Sequence, residues 1–141
     1  VESLREEKGG VYSPRAFSSY QSEPTPKYFI EASFTCAPEN VEDLIQTVYK
    51  DVANLKANGP TPEILQKVKE ARKKSYQIGL KENSYWMSNL VFSYENELDP
   101  SRILQAEQGI ESLAVKSMKK AAKKYFKEDE LMRMVLMPET K

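Results

Sequence analysis

The sequence predicts an α+β domain, with an antiparallel sheet covered by helices on one face. Three observations lead to this prediction. Residues 11–20 and 28–36 are strand-like and are separated by a proline-containing turn, and residues 38–126 carry apolar side chains at helical spacing. Residues 131–137 are again strand-like, so the chain is expected to return to the sheet at its end. A length of 141 residues suits one domain.

The first ten residues predict the end of a helix. Leu4 to Lys8 form its last turn, and Gly9 and Gly10 stop it, because glycine tolerates the left-handed conformation at a helix C-terminus. The chain has no initiator methionine, and its charged start lacks the apolar core of a signal peptide. We therefore expect residues 1–141 to be an N-terminally truncated piece of a longer protein.

Two strands follow and form an antiparallel hairpin. Residues 11–20 are rich in Tyr, Phe, Ser and Val without helical periodicity, and Pro24 and Pro26 then require a turn. From Tyr28 to Cys36 every second side chain is apolar, which is typical of a half-buried strand.

Three helices come next. The first follows Pro38 and ends at Gly59, and the second begins at Thr61, an N-cap residue followed by a proline and an acid. The third covers residues 84–95. The inward faces predicted for the first two are Val41, Leu44, Ile45, Val48, Val52 and Leu55, and then Ile64 or Leu65, Val68, Ala71, Ser75 and Ile78.

The C-terminal third predicts two more helices and a strand. A short helix runs from Asp99 to Gln108 with Gly109 as its stop, and another covers residues 114–126. Residues 131–137 predict the final strand.

Residue counts exclude several function classes. The 21 basic side chains equal the 21 acidic ones, whereas nucleic-acid-binding modules carry a basic excess. The absence of histidine excludes triads with an imidazole base and zinc sites with imidazole ligands. One cysteine excludes an internal disulfide. No apolar run approaches roughly 18 residues, so we expect no membrane insertion.

Several short residue patterns favour structural rather than catalytic roles. Cys36 lies on the apolar face of its strand, which predicts a core residue. Ser117 precedes Lys120 in a serine–x–x–lysine pattern, but in a lysine-rich helix this spacing is expected by chance. The basic face of that helix is either solvated or binds phosphate or an acidic partner.

Two further groups lie around the third helix. The carboxylates Glu95, Glu97 and Asp99 lack the spacing of a calcium loop and predict a polar helix end. Tyr85 and Trp86 either pack in the core or line a binding chamber.

Arg5 and Tyr12 are the candidate functional residues. Arg5 leaves a helical turn, two glycines reverse the chain, and Tyr12 opens the strand, so both donors can meet at a sheet edge. Together they could hold a peptide carbonyl and stabilise an oxyanion. The alternative is a surface arginine and a packed tyrosine.

The chain resembles the C-terminal domains of insulinase/pitrilysin-family zinc metallopeptidases. The segment from Arg5 to Tyr12 is similar to the arginine–six residues–tyrosine element of these domains. Further similar segments follow in order, and the resemblance covers essentially the whole chain: Cys36–Asn40, Gly59–Thr61, Glu82–Trp86 and Ala121–Phe126. It is strongest to the last domain of the long bacterial members.

This resemblance implies a role in proteolysis without a metal site in this chain. The family's zinc ligands lie in an N-terminal catalytic domain, which would be the partner of this one around a peptide substrate. By the same resemblance Arg5 would bind the substrate carbonyl, Tyr12 would stabilise the tetrahedral intermediate, and the protein would be periplasmic or exported. The alternative is a catalytically dead structural or interaction domain of the same fold.

Overall fold

A hairpin and five α-helices make up the part of the chain that the structure describes. The computed structural model describes residues 11–21 and 24–139. Strands β1 (Val11–Gln21) and β2 (Lys27–Cys36) pair antiparallel, which confirms the predicted hairpin and the α+β class. The helices are α1 (Val41–Asn58), α2 (Pro62–Gly79), α3 (Asn83–Glu95), α4 (Ala106–Glu111) and α5 (Val115–Tyr125), and 3-10 segments Pro38–Asn40 and Pro100–Gln105 precede α1 and α4.

The chain divides into two compact units. Of the described residues, one unit contains those up to Asn58 and those from Lys120 onward, and the other contains Gly59–Lys119. The predicted helical turn of residues 4–8, with Gly9 and Gly10, lies outside the described residues. No helix within the described residues is both long and apolar enough to cross a membrane.

The first unit contains the hairpin, α1 and the C-terminal part of the chain. Leu44 of α1 and Ala122 of α5 are almost fully buried in it. The rings of Tyr28 and Tyr125 meet edge-on, with their centroids 4.9 Å apart. The inward face predicted for α1 is confirmed, since its members are all buried or half-buried: Val41, Leu44, Ile45, Val48, Val52 and Leu55.

The second unit begins at a glycine turn. Gly59 has φ +78°, a conformation that glycine adopts without steric cost. As predicted, Thr61 then caps α2, because its hydroxyl oxygen accepts a hydrogen bond from the Ile64 N–H at 3.2 Å. Tyr76 of α2 and Ile103 of the second 3-10 segment are buried apolar side chains of this unit.

The inward face of α2 differs from the predicted one. Leu65, one of the two predicted alternatives, is half-buried, but Lys69 and Tyr76 were not predicted and are half-buried and buried. The Lys69 side chain is 15% exposed and its ammonium donates to the Glu111 carbonyl oxygen at 2.8 Å, so a residue counted as polar lies on the inward face. Of the predicted positions, the following are exposed: Ile64, Val68, Ala71, Ser75 and Ile78.

One predicted helix end and one predicted strand are wrong. Gly109 lies inside α4, which continues to Glu111, because one glycine weakens a helix by about 1 kcal/mol without stopping it. Residues 131–137 are not a strand. A strand needs a neighbour for its main-chain groups, and in the described part of the chain the sheet consists of β1 and β2 paired with each other.

Candidate functional site

Strand β1 carries a bulge directly after Tyr12. The pairing with β2 shifts by one residue between Tyr12 and Arg15, so Ser13 and Pro14 together face a single residue of β2. Ser13 has φ +51°, a left-handed conformation that is uncommon for residues other than glycine. Proline is tolerated at a bulge, because no ladder hydrogen bond is needed from it there. Bulges bend a strand and re-aim neighbouring side chains.

The main chain of Tyr12 is held while its side chain stays in solvent. The Tyr12 carbonyl oxygen accepts a hydrogen bond from the Thr35 hydroxyl at 3.0 Å, next to the ladder. Its side chain is 69% exposed, so the phenol is available as a donor to a ligand. Within the described residues Tyr12 is therefore mainly exposed rather than packed. Arg5 lies outside the described residues.

The donor set of this chain does not fit a zinc centre. The sequence contains no histidine. Among residues 11–21 and 24–139, no three Cys, Asp or Glu side chains come together as metal ligands. Tyr12 can offer a hydrogen bond to a reacting oxygen.

The serine–x–x–lysine pattern belongs to a helix cap. The Ser117 hydroxyl accepts a hydrogen bond from the Ala114 N–H at 3.1 Å and donates to the Ala114 carbonyl oxygen at 2.8 Å. Its place at the start of α5 explains the serine structurally. Cys36, predicted as a core residue, is half-buried at the end of β2.

The acidic group after α3 is a polar helix end, as predicted. The Asp99 carboxylate accepts hydrogen bonds from the Ser101 N–H at 2.9 Å and from the Ser101 hydroxyl at 2.6 Å. These two bonds hold the pKa of Asp99 below its ordinary value. Glu97 has φ +52° and reverses the chain between α3 and this cap.

Acidic side chains and an aromatic ring partly offset the positive charge of the lysines near the C-terminal end of α5. Lys127 pairs with Glu130 at 2.6 Å, and the Lys124 ammonium lies 5.0 Å from the centroid of the Tyr125 ring. Lys56 of α1 also pairs with Glu128, at 3.4 Å. These contacts favour a solvated basic face.

Tyr85 and Trp86 pack within the second unit. The indole N–H of Trp86 donates to the Leu80 carbonyl oxygen at 2.9 Å. The Tyr85 ring lies edge-on to Tyr76, with centroids 6.4 Å apart, and burial followed by the nearby Tyr76 raises the pKa of Tyr85. Both residues are half-buried, which agrees with the packing alternative.

Sequence reasoning missed the bulge. Its signal was present, because a proline within a strand-like segment is confined to strand starts, edges and bulges, and Pro14 stands four residues into β1. Its position next to the bulge distinguishes Tyr12 from the other exposed tyrosines of the hairpin.

Comparison with known proteins identifies the domain. A family model described as "Peptidase M16 inactive domain" matches residues 1–72 of the 141. The chain belongs to this family. The match covers both candidate residues and the whole hairpin of this M16 domain, and it confirms the resemblance inferred from the sequence. No curated protein matches the chain.

A solved structure shows the same fold. The M16 domain is similar to part of the periplasmic protease PqqL from Escherichia coli, with a TM-score of 0.68 and 22% sequence identity over 88% of this chain. The chain spans 14% of the length of that protease. Its fold is therefore one that also occurs within a much longer polypeptide.

Proposed function

We propose that this M16 domain is the non-catalytic C-terminal portion of a zinc-dependent endopeptidase, in which it closes the peptide chamber. The description of the matching family as an inactive domain supports this role. Zinc would be held by another part of the polypeptide, the N-terminal catalytic domain, and the absence of histidine from this chain is compatible with that arrangement. The similarity to PqqL, a periplasmic protease, supports a periplasmic or exported location.

Tyr12 would contribute to catalysis as a hydrogen-bond donor. The observation that carries this proposal is its exposed phenol beside the bulge of β1. A phenol aimed at the scissile carbonyl binds more strongly as that oxygen becomes negative in the tetrahedral intermediate, so it lowers the barrier. Arg5 would bind the substrate carbonyl in the ground state, by the resemblance stated above.

The test is Tyr12→Phe in the full-length protein encoded by the gene. The substitution removes one oxygen and leaves the ring. We expect kcat for peptide cleavage to fall by about 100-fold and KM to change by less than about threefold, because the contact forms mainly in the transition state. Tyr20→Phe is the matched control, since Tyr20 is 64% exposed on the same strand and away from the bulge.

Three results bear on the proposal. Equal kcat for Tyr12→Phe and the parent would refute the role of the phenol, and so would an equal loss in Tyr20→Phe. A full-length parent that cleaves no peptide would favour the alternative of a structural or interaction domain.

A further inference from the structure

The pairing register of the hairpin shows which of its side chains share a face. Residues directly opposite each other in an antiparallel pair lie on the same face, and successive residues along a strand lie on alternate faces. Tyr12 is opposite Thr35, and Ser19 is opposite Phe29. Because Thr35 and Phe29 are an even number of residues apart on β2, Tyr12 lies on the same face as Phe29.

The bulge is what brings Tyr12 to this face. Phe17 is opposite Glu31, so it too lies on the face of Phe29. Tyr12 and Phe17 are an odd number of residues apart, and in a strand without a bulge they would lie on opposite faces. The extra residue in β1 between Tyr12 and Arg15 reverses the alternation. We call the face that carries Tyr12, Phe17 and Phe29 the outer face of the hairpin.

The opposite face of the hairpin meets the helical part of the first unit. Tyr28 lies on that face and packs edge-on against Tyr125 of α5, with the ring centroids 4.9 Å apart. Phe34 and Cys36, on the same side of β2, are half-buried. Thr35 between them lies on the outer face and is exposed. Burial therefore agrees with the assignment of the two faces from the register.

Phe17 and Phe29 form an exposed aromatic pair on the outer face. They are diagonal neighbours across the two strands, a separation that aromatic side chains bridge. Their rings meet edge-on with centroids 5.4 Å apart, yet the two residues are 49% and 50% exposed. Because each ring holds the other in place, a ligand that packs on the pair does not have to order it.

The spacing along the outer face matches that of an extended peptide. Thr35, opposite Tyr12, is four residues from Glu31, which is opposite Phe17, and six residues from Phe29. At about 3.3 Å per residue, the aromatic pair lies roughly 13–20 Å from Tyr12 along the strands. An extended peptide has the same rise, so a peptide with its scissile carbonyl at Tyr12 can place a side chain about four to six residues away over the pair.

We propose that Phe17 and Phe29 form a subsite for a large apolar or aromatic side chain of the peptide substrate, about four to six residues from the scissile bond. This subsite rests on the proposed function and adds a source of substrate specificity to it. A peptide is the occupant that fits, because the same face carries the exposed phenol of Tyr12, the donor proposed to contact the scissile carbonyl. Apolar pockets select substrates through the apolar area that they bury.

Binding of two peptide probes to the full-length protein tests the subsite without requiring activity. The probes are fluorescently labelled peptides of Gly, Ser and Lys that are identical except at one central position, which is Phe in one and Ser in the other. Fluorescence anisotropy measures Kd in the presence of a chelator, which prevents metal-dependent cleavage. We expect the Phe peptide to bind about tenfold more tightly, because its ring leaves water when it packs on the pair.

The ratio of the two Kd values is the readout for the variants, because a structural defect weakens the binding of both peptides alike. Phe17→Ser should lower the ratio below about threefold, and Phe29→Ser, which tests the pair from β2, should do the same. Phe17→Leu should keep most of it, since the side chain stays apolar. Tyr20→Ser is the matched control, because it removes an aromatic residue, 64% exposed, from the opposite face of β1 and should leave the ratio unchanged.

Cleavage by the full-length protein tests the position of the subsite. When a single Phe is moved along a peptide that the parent cleaves, kcat/KM should be highest with Phe about four to six residues from the cleaved bond. A preference confined to the residues next to that bond would overturn the placement.

Three binding results would overturn the subsite itself. The parent could bind the Phe and Ser peptides equally, or the ratio could survive in both Phe17→Ser and Phe29→Ser. A parent dimer that dissociates on Phe17→Ser, with equal binding of the two peptides, would assign the pair to a second copy. A lost ratio in Phe17→Ser with unchanged kcat in Tyr12→Phe would refute the role of the phenol alone, and the opposite pair of results would refute the subsite alone.

Discussion

Replacing Gly59 with alanine should destabilise the second unit. Gly59 has φ +78°, where an L side chain costs about 1–2 kcal/mol. A methyl group there would lie 2.9 Å from Val115 Cγ1 and 3.1 Å from the Val115 carbonyl oxygen. Forcing an extra methyl into a filled space costs about 1–3 kcal/mol. The two effects predict a loss of about 2–5 kcal/mol in the free energy of unfolding, a large share of the roughly 5–15 kcal/mol of a typical domain.

Gly109 provides the matched control. It lies in α4 within the same unit, and a Cβ placed on it would meet nothing within 4 Å. Alanine is a better helix former than glycine by about 1 kcal/mol, so Gly109→Ala should leave the unit as stable as the parent or more so. The same chemical change at two glycines is therefore expected to act in opposite directions.

Urea unfolding followed by Trp86 fluorescence measures both variants. Trp86 is the single tryptophan of the chain and lies in the second unit. With a slope of about 1–3 kcal/mol per M, Gly59→Ala should lower the midpoint by about 1 M or more. Adding Val115→Ala should restore part of the loss, because the side-chain clash goes while the strained φ remains. An unchanged midpoint for Gly59→Ala, or an equal loss in Gly109→Ala, would refute this reasoning.

Two further predictions concern helix caps in the same unit. Thr61→Ala should lower the unfolding free energy by about 1 kcal/mol, because it removes the acceptor of the Ile64 N–H. Thr61→Ser keeps a hydroxyl and should retain most of that stability. Equal losses in the two variants would contradict a capping role. Asp99 has a pKa below its ordinary value of 3.8 because of its bonds to Ser101, so its contribution to stability is present above that value and is lost as the pH falls through the lower folded pKa. The urea midpoint of the parent should therefore exceed that of Asp99→Asn at neutral pH and approach it below about pH 4, and a constant difference across this range would contradict the assignment.

Local sequence determined the elements whose signals lie within a few residues. The alternation from Tyr28 to Cys36 predicts β2, and Thr61 followed by proline predicts the start of α2, since both patterns act through neighbouring main-chain groups. The ordered segments from Arg5 to Phe126 also indicated the family that the comparison confirms. None of these inferences requires a contact between distant parts of the chain.

Distant contacts decided the rest. The inward face of α2 includes Lys69, whose ammonium donates to the Glu111 carbonyl oxygen 42 residues later, so hydropathy along the helix did not identify this position. The exposure of Tyr12 depends on how β1 pairs with β2 around the bulge at Ser13.

Residues 131–137 show most clearly the difference between what a local sequence pattern determines and what contacts between distant segments determine. The strand pattern of residues 131–137 is a property of the sequence, whereas a strand exists only when a second segment pairs with it. The sequence by itself determined the local conformations and the family, because these depend on near neighbours and on residue types. The tertiary structure decided which face of α2 is buried and that β1 carries a bulge, because burial and register each depend on two segments at once.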